Sequence, residues 1–285
     1  MIIEVKASIL TICLGDIASI LDPQEDDTVT IEASSNEDRV VVRAGDPGVN
    51  FVQFQVRANT FEPGFASFRF RELSQVIHAY HRSLIIVKTS SNLSETATIS
   101  NGGGAITLKT ADDVIEALGV VAGECASFDP CDILGLMSDV QHAQSDDNEY
   151  RRSLCGLKFE IAADMKLRAI ATNGRCLAVS ARQVSRAELK KPEFSVFLPR
   201  TAVEFLARVN HSDMTEVLKS DDGTRVTIRT GGNIGHFVTS NSFPLWAQCV
   251  TKDPQHLATF NSTDIEVALE RAVEALGGTE LIEPD

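Results

Sequence analysis

GFASFRFRELSQVIHAYHRSLIIVKT (residues 64–89) and EFSVFLPRTAVEFLARVNHSDMTEVLKS (193–220) read as two copies of one pattern. An offset of 129 residues brings Phe68 onto Phe197, Arg71 onto Arg200 and Ile77 onto Leu206. The same offset carries Gly102-Gly103 onto Gly231-Gly232. Each copy reads as a strand, a helix of about three turns and three further strands. The glycine pairs fall where a hairpin between the last two strands needs positive φ.

Helical spacing supports this. Phe70, Leu73, Val76, Ile77 and Tyr80 form one apolar stripe over 70–80, and Val203, Leu206 and Val209 form another, with Pro199 in the first turn. Ile9, Ile12, Cys13, Ile17 and Ile20 predict a helix over 8–21. Ile133, Leu136, Met137 and Val140 predict one from about 132 to 143, capped by Asp129 or Asp132. β-Branched alternation predicts strands at 28–33, 39–43, 52–56 and 225–230. The fold class is therefore α+β, built from repeated units of antiparallel sheet and helix.

Three segments are expected: domains over 1–115 and 116–250, then a partial third repeat with an acidic tail over 251–285. In the last, 256–260 reads as a strand. A helix over 263–276 carries Ile265, Leu269, Val273 and Leu276 on one stripe and stops at Gly277-Gly278. That helix must bury its apolar face on its own second domain or on a neighbouring subunit.

Charge and composition narrow the functional classes. A net charge of −14 argues against a coat of nucleic acid, while leaving room for a local basic lining. The six cysteines are scattered without a CxxC pair and the six histidines without an HExxH, so no metal site and no cofactor are expected. The N-terminus lacks a basic stretch followed by a long apolar run, and no segment is apolar enough to span a membrane. A cytoplasmic location is expected. The carboxylate clusters at 25–27 and 146–147 read as solvated loops. The glycine runs have strands on both sides and lack the helix and Lys of a phosphate loop. The chain is not expected to be an enzyme.

Several motifs resemble the β sliding clamp family of bacterial DNA polymerase III. YRRSLCGL (150–157) looks like the segment that enters that family's central strand. LRAIATNGRCLA (167–178) is similar to its L-x-x-V-A-T-D-G-H-R-L-A signature. FLPR (197–200) resembles V-P-R-K, SFPLW (242–246) resembles F-P-D-Y, and EPG (62–64) matches the family's E-P-G. The match spans 1 to about 276 and is strongest over 150–250.

The resemblance implies a non-enzymatic ring of six similar domains, with helices facing inward and sheets outside. Duplex DNA would pass through it without sequence readout, so arginines on the inward helices are the expected contacts. They are Arg71, His78 and Arg82 in the first copy and Arg200 and Arg208 in the second, with Arg151 and Arg152 in the loop before the central strand. The resemblance also implies a pocket for short peptide motifs of polymerases and clamp loaders. It would comprise Leu154, Thr172, Gly174, Arg175, Leu177, Pro244 and Val250, with Cys176 where the family carries arginine. Two complete domains per chain imply a homotrimer, or a dimer if the chain is part of a longer one. The alternative is a clamp-like interaction or regulatory protein that binds replication proteins without encircling DNA.

Overall fold

The computed structural model describes residues 1–24, 27–35, 38–89, 95–119, 121–146, 152–162, 164–183, 187–189, 193–209, 214–240 and 242–250. The strand expected at 256–260, the helix expected at 263–276, and Arg151 lie outside them. Met1–Pro244 form one compact unit, and Leu245–Asp285 separate as a second, described only to Val250, with a short 3₁₀ turn at Trp246–Gln248.

The duplication read from sequence extends to every strand and α-helix described in the larger unit. Its first half runs β1 (Ile2–Lys6), α1 (Ala7–Leu21), β2 (Thr28–Ala33), β3 (Arg39–Gly45), β4 (Phe51–Arg57) and β5 (Asn59–Glu62). It continues with β6 (Gly64–Arg69), α2 (Phe70–Ala79), β7 (Leu84–Thr89), β8 (Thr96–Ser100) and β9 (Ala105–Lys109). The second half repeats that order. It runs β10 (Gly123–Phe128), α3 (Pro130–Val140), β11 (Gly156–Ile161), β12 (Lys166–Thr172), β13 (Leu177–Gln183) and β14 (Ala187–Leu189). Then come β15 (Phe194–Pro199), α4 (Arg200–Arg208), β16 (Thr215–Ser220), β17 (Arg225–Thr230) and β18 (Asn233–Val238).

The sheets copy one another too. One sheet has the order β5-β1-β7-β8-β9, and its counterpart β14-β10-β16-β17-β18 is half of a nine-stranded sheet. The other half, β4-β3-β2-β6, has its counterpart in the separate sheet β13-β12-β11-β15. The two halves are thus fused where β18 of one module pairs antiparallel with β4 of the other: Ile234 faces Gln53, Gly235 faces Val52 and His236 faces Phe51. Two asparagines extend this short ladder at its ends. Gln55 N–H donates to Asn233 Oδ1 at 2.9 Å, and Val238 N–H donates to Asn50 Oδ1 at 3.2 Å.

Hydrogen bonding also corrects the register of the repeat. Phe70 N–H donates to Asp27 O, and Arg200 N–H donates to Cys155 O, both at the first residue after the equivalent strand. Phe70 and Arg200 are therefore the structural pair, an offset of 130, and Arg71 stands one residue deeper in its helix than Arg200. The equivalent connections differ in length by one to several residues, so one offset cannot hold along the chain. The hairpins show this directly. Four residues separate Ser100 from its partner Ala105, whereas Gly231 and Gly232, at φ 55° and 82°, close a two-residue turn between Thr230 and Asn233.

Helix starts follow local chemistry. α3 begins at Pro130, two residues ahead of expectation, because the Asp129 side chain accepts the Cys131 N–H and proline suits the first turn. Its predicted last turn, 141–143, tightens into a 3₁₀ turn. α1 has no side-chain cap, and it stops where Asp22 adopts the left-handed conformation at φ 47°.

The helices pack as a row, α1 between α2 and α4, and α4 on α3, backed by β4, β6, β13 and β18 among other strands. Where the modules meet, Phe205 of α4 lies 5.8 Å from Phe54 of β4 and 5.8 Å from Phe237 of β18. Phe205 and Phe237 are fully buried. A Cβ on Gly235 would fall 2.6 Å from the Phe237 ring and 2.9 Å from that of Phe205, so only glycine admits both rings. Phe205→Ala is expected to lower unfolding free energy by about 3–5 kcal/mol in urea titration. Gly235→Ala is expected to lower it by about 1–3 kcal/mol through overpacking.

The same strand carries a buried titratable group. His236 Nδ1 lies 2.7 Å from Thr227 Oγ1, and Nε2 has no partner among the described residues. Burial, and secondarily the Arg225 charge, hold its pKa below the usual imidazole value. The unfolded chain therefore binds this proton at a higher pH than the folded one. The stability contributed by neutral His236 is complete above about pH 6.5 and is lost as pH falls below it. The melting temperature of the wild type is expected to fall more steeply between pH 7 and pH 5 than that of His236→Gln. Parallel curves would refute a role for this residue.

Candidate nucleic-acid interface and peptide groove

The cations expected to meet DNA lie at the exposed side of α2 and α4 and in nearby turns. Arg71 is at the second position of α2, His78 is near its end, and Arg82 is in the turn that follows. All three are exposed, and the His78 ring lies 5.9 Å from that of His81. Arg152 is exposed in a short 3₁₀ turn, Arg152–Leu154, ahead of β11.

The α4 arginines are tied to carboxylates. Arg200 Nη1 is 3.1 Å from Asp146 Oδ1 and its Nε is 3.3 Å from Glu204 Oε1. Arg208 Nη1 is 3.5 Å from Asp16 Oδ1 on α1. Burial pushes the Asp16 carboxyl above its ordinary range, opposed by Arg208. α1 and α3 contain no Lys or Arg. Their exposed positions are Ile12, Gly15 and Ser19 on α1, and Cys131, Ser138 and Asp139 on α3. Hydrogen bonds from Ser180 and then Arg182 hold Asp139 below the ordinary carboxylate range. Exposed ion pairs such as those of Arg200 are weak, so a phosphate would displace their carboxylates at small cost.

The residues expected to form a peptide pocket are only partly brought together. Thr172 ends β12, Leu177 begins β13 as its ladder partner, and Leu154 sits just ahead of β11, so these share one end of the four-stranded sheet. Gly174 and Arg175 occupy the connecting turn, with Gly174 at φ 84°. Asn173 Oδ1 accepts the N–H groups of Arg175 and Cys176, both at 2.9 Å. Thr172 Oγ1 donates to Cys176 O at 2.6 Å and accepts Gly174 N–H at 3.0 Å. These bonds fix a rigid rim. Leu154 is buried, Thr172 and Leu177 are half-buried, and Arg175 is exposed. Pro244 is exposed and follows Phe243, whose ring lies 5.7 Å from that of Phe197. Val250 belongs to the second compact unit and is 46% exposed.

Sequence reading missed the Phe197–Phe243 stack and the carboxylates beside Arg200 and Arg208. Asp16 is 192 residues from Arg208, so only the α1–α4 packing brings the pair together. Among the described residues no group of three His, Cys, Asp or Glu side chains could hold a metal, and no helix is long and apolar enough to cross a membrane.

Neither a protein-family model nor a curated protein matches the chain. Solved structures do. A Helicobacter pylori β clamp in complex with 3,4-difluorobenzamide superposes with a TM-score of 0.79 at 14% identity, over 96% of this chain and 74% of that one. The chain has the bacterial sliding-clamp fold. The DNA polymerase III β subunit of Pseudomonas aeruginosa gives 0.75 at 16% identity, over 96% and 74% of the two chains. An H. pylori β clamp bound to a DNA ligase peptide gives 0.77 at 14%, over 97% and 77%. In this clamp fold, Asn173 is the brace of the β12–β13 turn. Asn173→Ala is expected to speed amide hydrogen exchange at Arg175 and Cys176 while leaving β16–β18 protected.

Proposed function

We propose that this chain is a non-enzymatic sliding clamp of the cytoplasm. It would encircle duplex DNA and tether polymerase and clamp loader through short peptide motifs. The observation that carries this reading is the β18–β4 join. It fuses two modules of identical topology edge to edge while keeping their helices in one row. β9 and β13 are the counterparts of β18 and β4, and among the described residues each has one strand neighbour, β8 and β12 respectively. Transferring the register of the internal join sets Ala105 opposite Val179, Ile106 opposite Ala178, and Thr107 opposite Leu177 of the next copy. One heterologous contact repeated around a closed ring then unites three chains and six modules. On this reading the modules are the domains 1–115 and 116–250, and 251–285 is a partial third repeat.

DNA would run past Arg71, His78, Arg82, Arg151, Arg152, Arg200 and Arg208. Topology holds the ring on DNA, so attraction to phosphate need only be weak and independent of sequence. The peptide site would be the corner of Leu154, Thr172, Gly174, Arg175 and Leu177, together with Pro244. An apolar floor beside a rigid turn suits an extended peptide. The peptide named with an H. pylori clamp of this fold supports that use.

A second reading is a clamp-like regulator that binds replication proteins without closing on DNA. The carboxylates at Arg200 and Arg208, and the absence of Lys and Arg from α1 and α3, favour it.

Light scattering is expected to give three times the 30.9 kDa chain mass. Protein loaded on circular DNA should remain bound in high salt and come off on linearisation. A monomer at micromolar concentration, or equal loss from circular and linear DNA, would favour the regulator. Asp16→Asn with Glu204→Gln should strengthen DNA association at low salt and steepen its salt dependence, since two arginines lose competing carboxylates.

A further inference from the structure

The first module carries its own version of the corner assigned to peptide binding in the second. Gly45 and Phe51 close the β3–β4 hairpin as Thr172 and Leu177 close β12–β13. Asp46 Oδ1 accepts the Gly48 N–H at 2.6 Å, just as Asn173 accepts the N–H two residues on. The segments leaving the two modules cross the same rung: Ala111 N–H donates to Ser67 O, and Thr239 Oγ1 donates to Phe197 O.

The first-module corner is an open cleft of about 410 Å³. Leu21, Ala44 and Ile115 supply apolar surface, and Pro23 and Val49 add to it. Ile115 is fixed there because its N–H donates to Thr30 Oγ1 at 2.9 Å. Val49 is 52% exposed, on a turn braced by Asp46 N–H to Asn50 O and Val49 N–H to Asp46 O.

The difference lies in charge. Where the second corner presents Arg175, the first presents Asp27 and Asp46, and no Lys or Arg lines it. Gln24 N–H holds one oxygen of Asp27 and Gly48 N–H one oxygen of Asp46. The other oxygen of each has no hydrogen-bond partner among the described residues. Both carboxylates are therefore oriented, exposed and able to accept.

We infer that this cleft is a second peptide-docking site, selective for a short segment in which an apolar side chain is flanked by Lys or Arg. The apolar side chain enters between Leu21, Val49 and Ile115, and the flanking cation sits at Asp46 or Asp27. The two corners of one chain would then hold different partners, separated by charge. This goes beyond the clamp reading and does not depend on ring closure.

The test uses the full chain and two fluorescein-labelled peptides of equal apolar content, GKLFRG and GELFEG, followed by anisotropy. The basic peptide should bind and the acidic one should not, with affinity falling as salt rises. Val49→Arg removes an apolar contact and places a repelling cation at the mouth, and should weaken binding roughly tenfold, about 1.4 kcal/mol. Asp46→Asn, which keeps an acceptor for Gly48, should weaken it by a smaller factor, and Leu177→Ala should leave it unchanged. Equal binding of both peptides, no effect of Val49→Arg and Asp46→Asn, loss on Leu177→Ala, or no binding at millimolar peptide would each overturn the proposal. Failure of ring formation shows in light scattering and on circular DNA, and would leave these outcomes unaltered.

Discussion

A β-strand at the rim of a sheet exposes backbone N–H and C=O groups that must find water, a cover or another strand. This chain resolves that constraint internally at one place, where β18 of the second module completes β4 of the first. The ladder is short, so it depends on side chains for the rest. Asn50 and Asn233 accept the amides beyond its ends, and the rings of Phe54, Phe205 and Phe237 exclude water beneath it. The relative placement of the helices follows, because α1 and α4 approach each other only when the two sheet halves are fused.

The same join is unequal to its counterpart at the other edge. The residue of β13 equivalent to Phe54 is Ser180, and that equivalent to Val56 is Arg182, both bonded to Asp139. The internal contact is aromatic and dry, whereas the β13 surface is polar and partly charged. A contact made there between chains would be weaker and more sensitive to salt than the join within the chain.

Electrostatics at the row of helices follow similar logic. The chain is acidic overall, and the arginines of α4 rest against carboxylates instead of standing as an unrelieved positive stripe. Such exposed pairs cost little to exchange, so the α4 arginines are neutralised without being locked in place. His236 represents the opposite case. It is buried, neutral and held by one hydrogen bond, and its desolvation links the module join to pH.

Repetition was legible in the sequence because a module's apolar positions recur with it. The stripes of α2 and α4 and the alternating strands at 28–33 and 225–230 reflect local burial, which periodicity records. The glycine turns and the Asp129 cap were legible for the same reason: φ preference and capping act within a few residues. Offsets that drift by one residue were not, since hairpin length is invisible to a pattern match, and so Arg71 was paired with Arg200 when Phe70 holds that position. The candidate site divides likewise. Thr172, Gly174 and Leu177, named through the family resemblance, share one hairpin, so their proximity is local. The Arg208–Asp16 pair, the Asn233–Gln55 bond and the Phe54–Phe205 contact join residues more than 100 apart, and no local property announces them. Sequence by itself determined the module and its duplication, because secondary structure answers to nearest-neighbour chemistry. Tertiary structure alone decided which edges meet, which charges neutralise each other, and that two equivalent corners differ in sign. Those outcomes depend on distances between segments that the chain brings together only once it has folded.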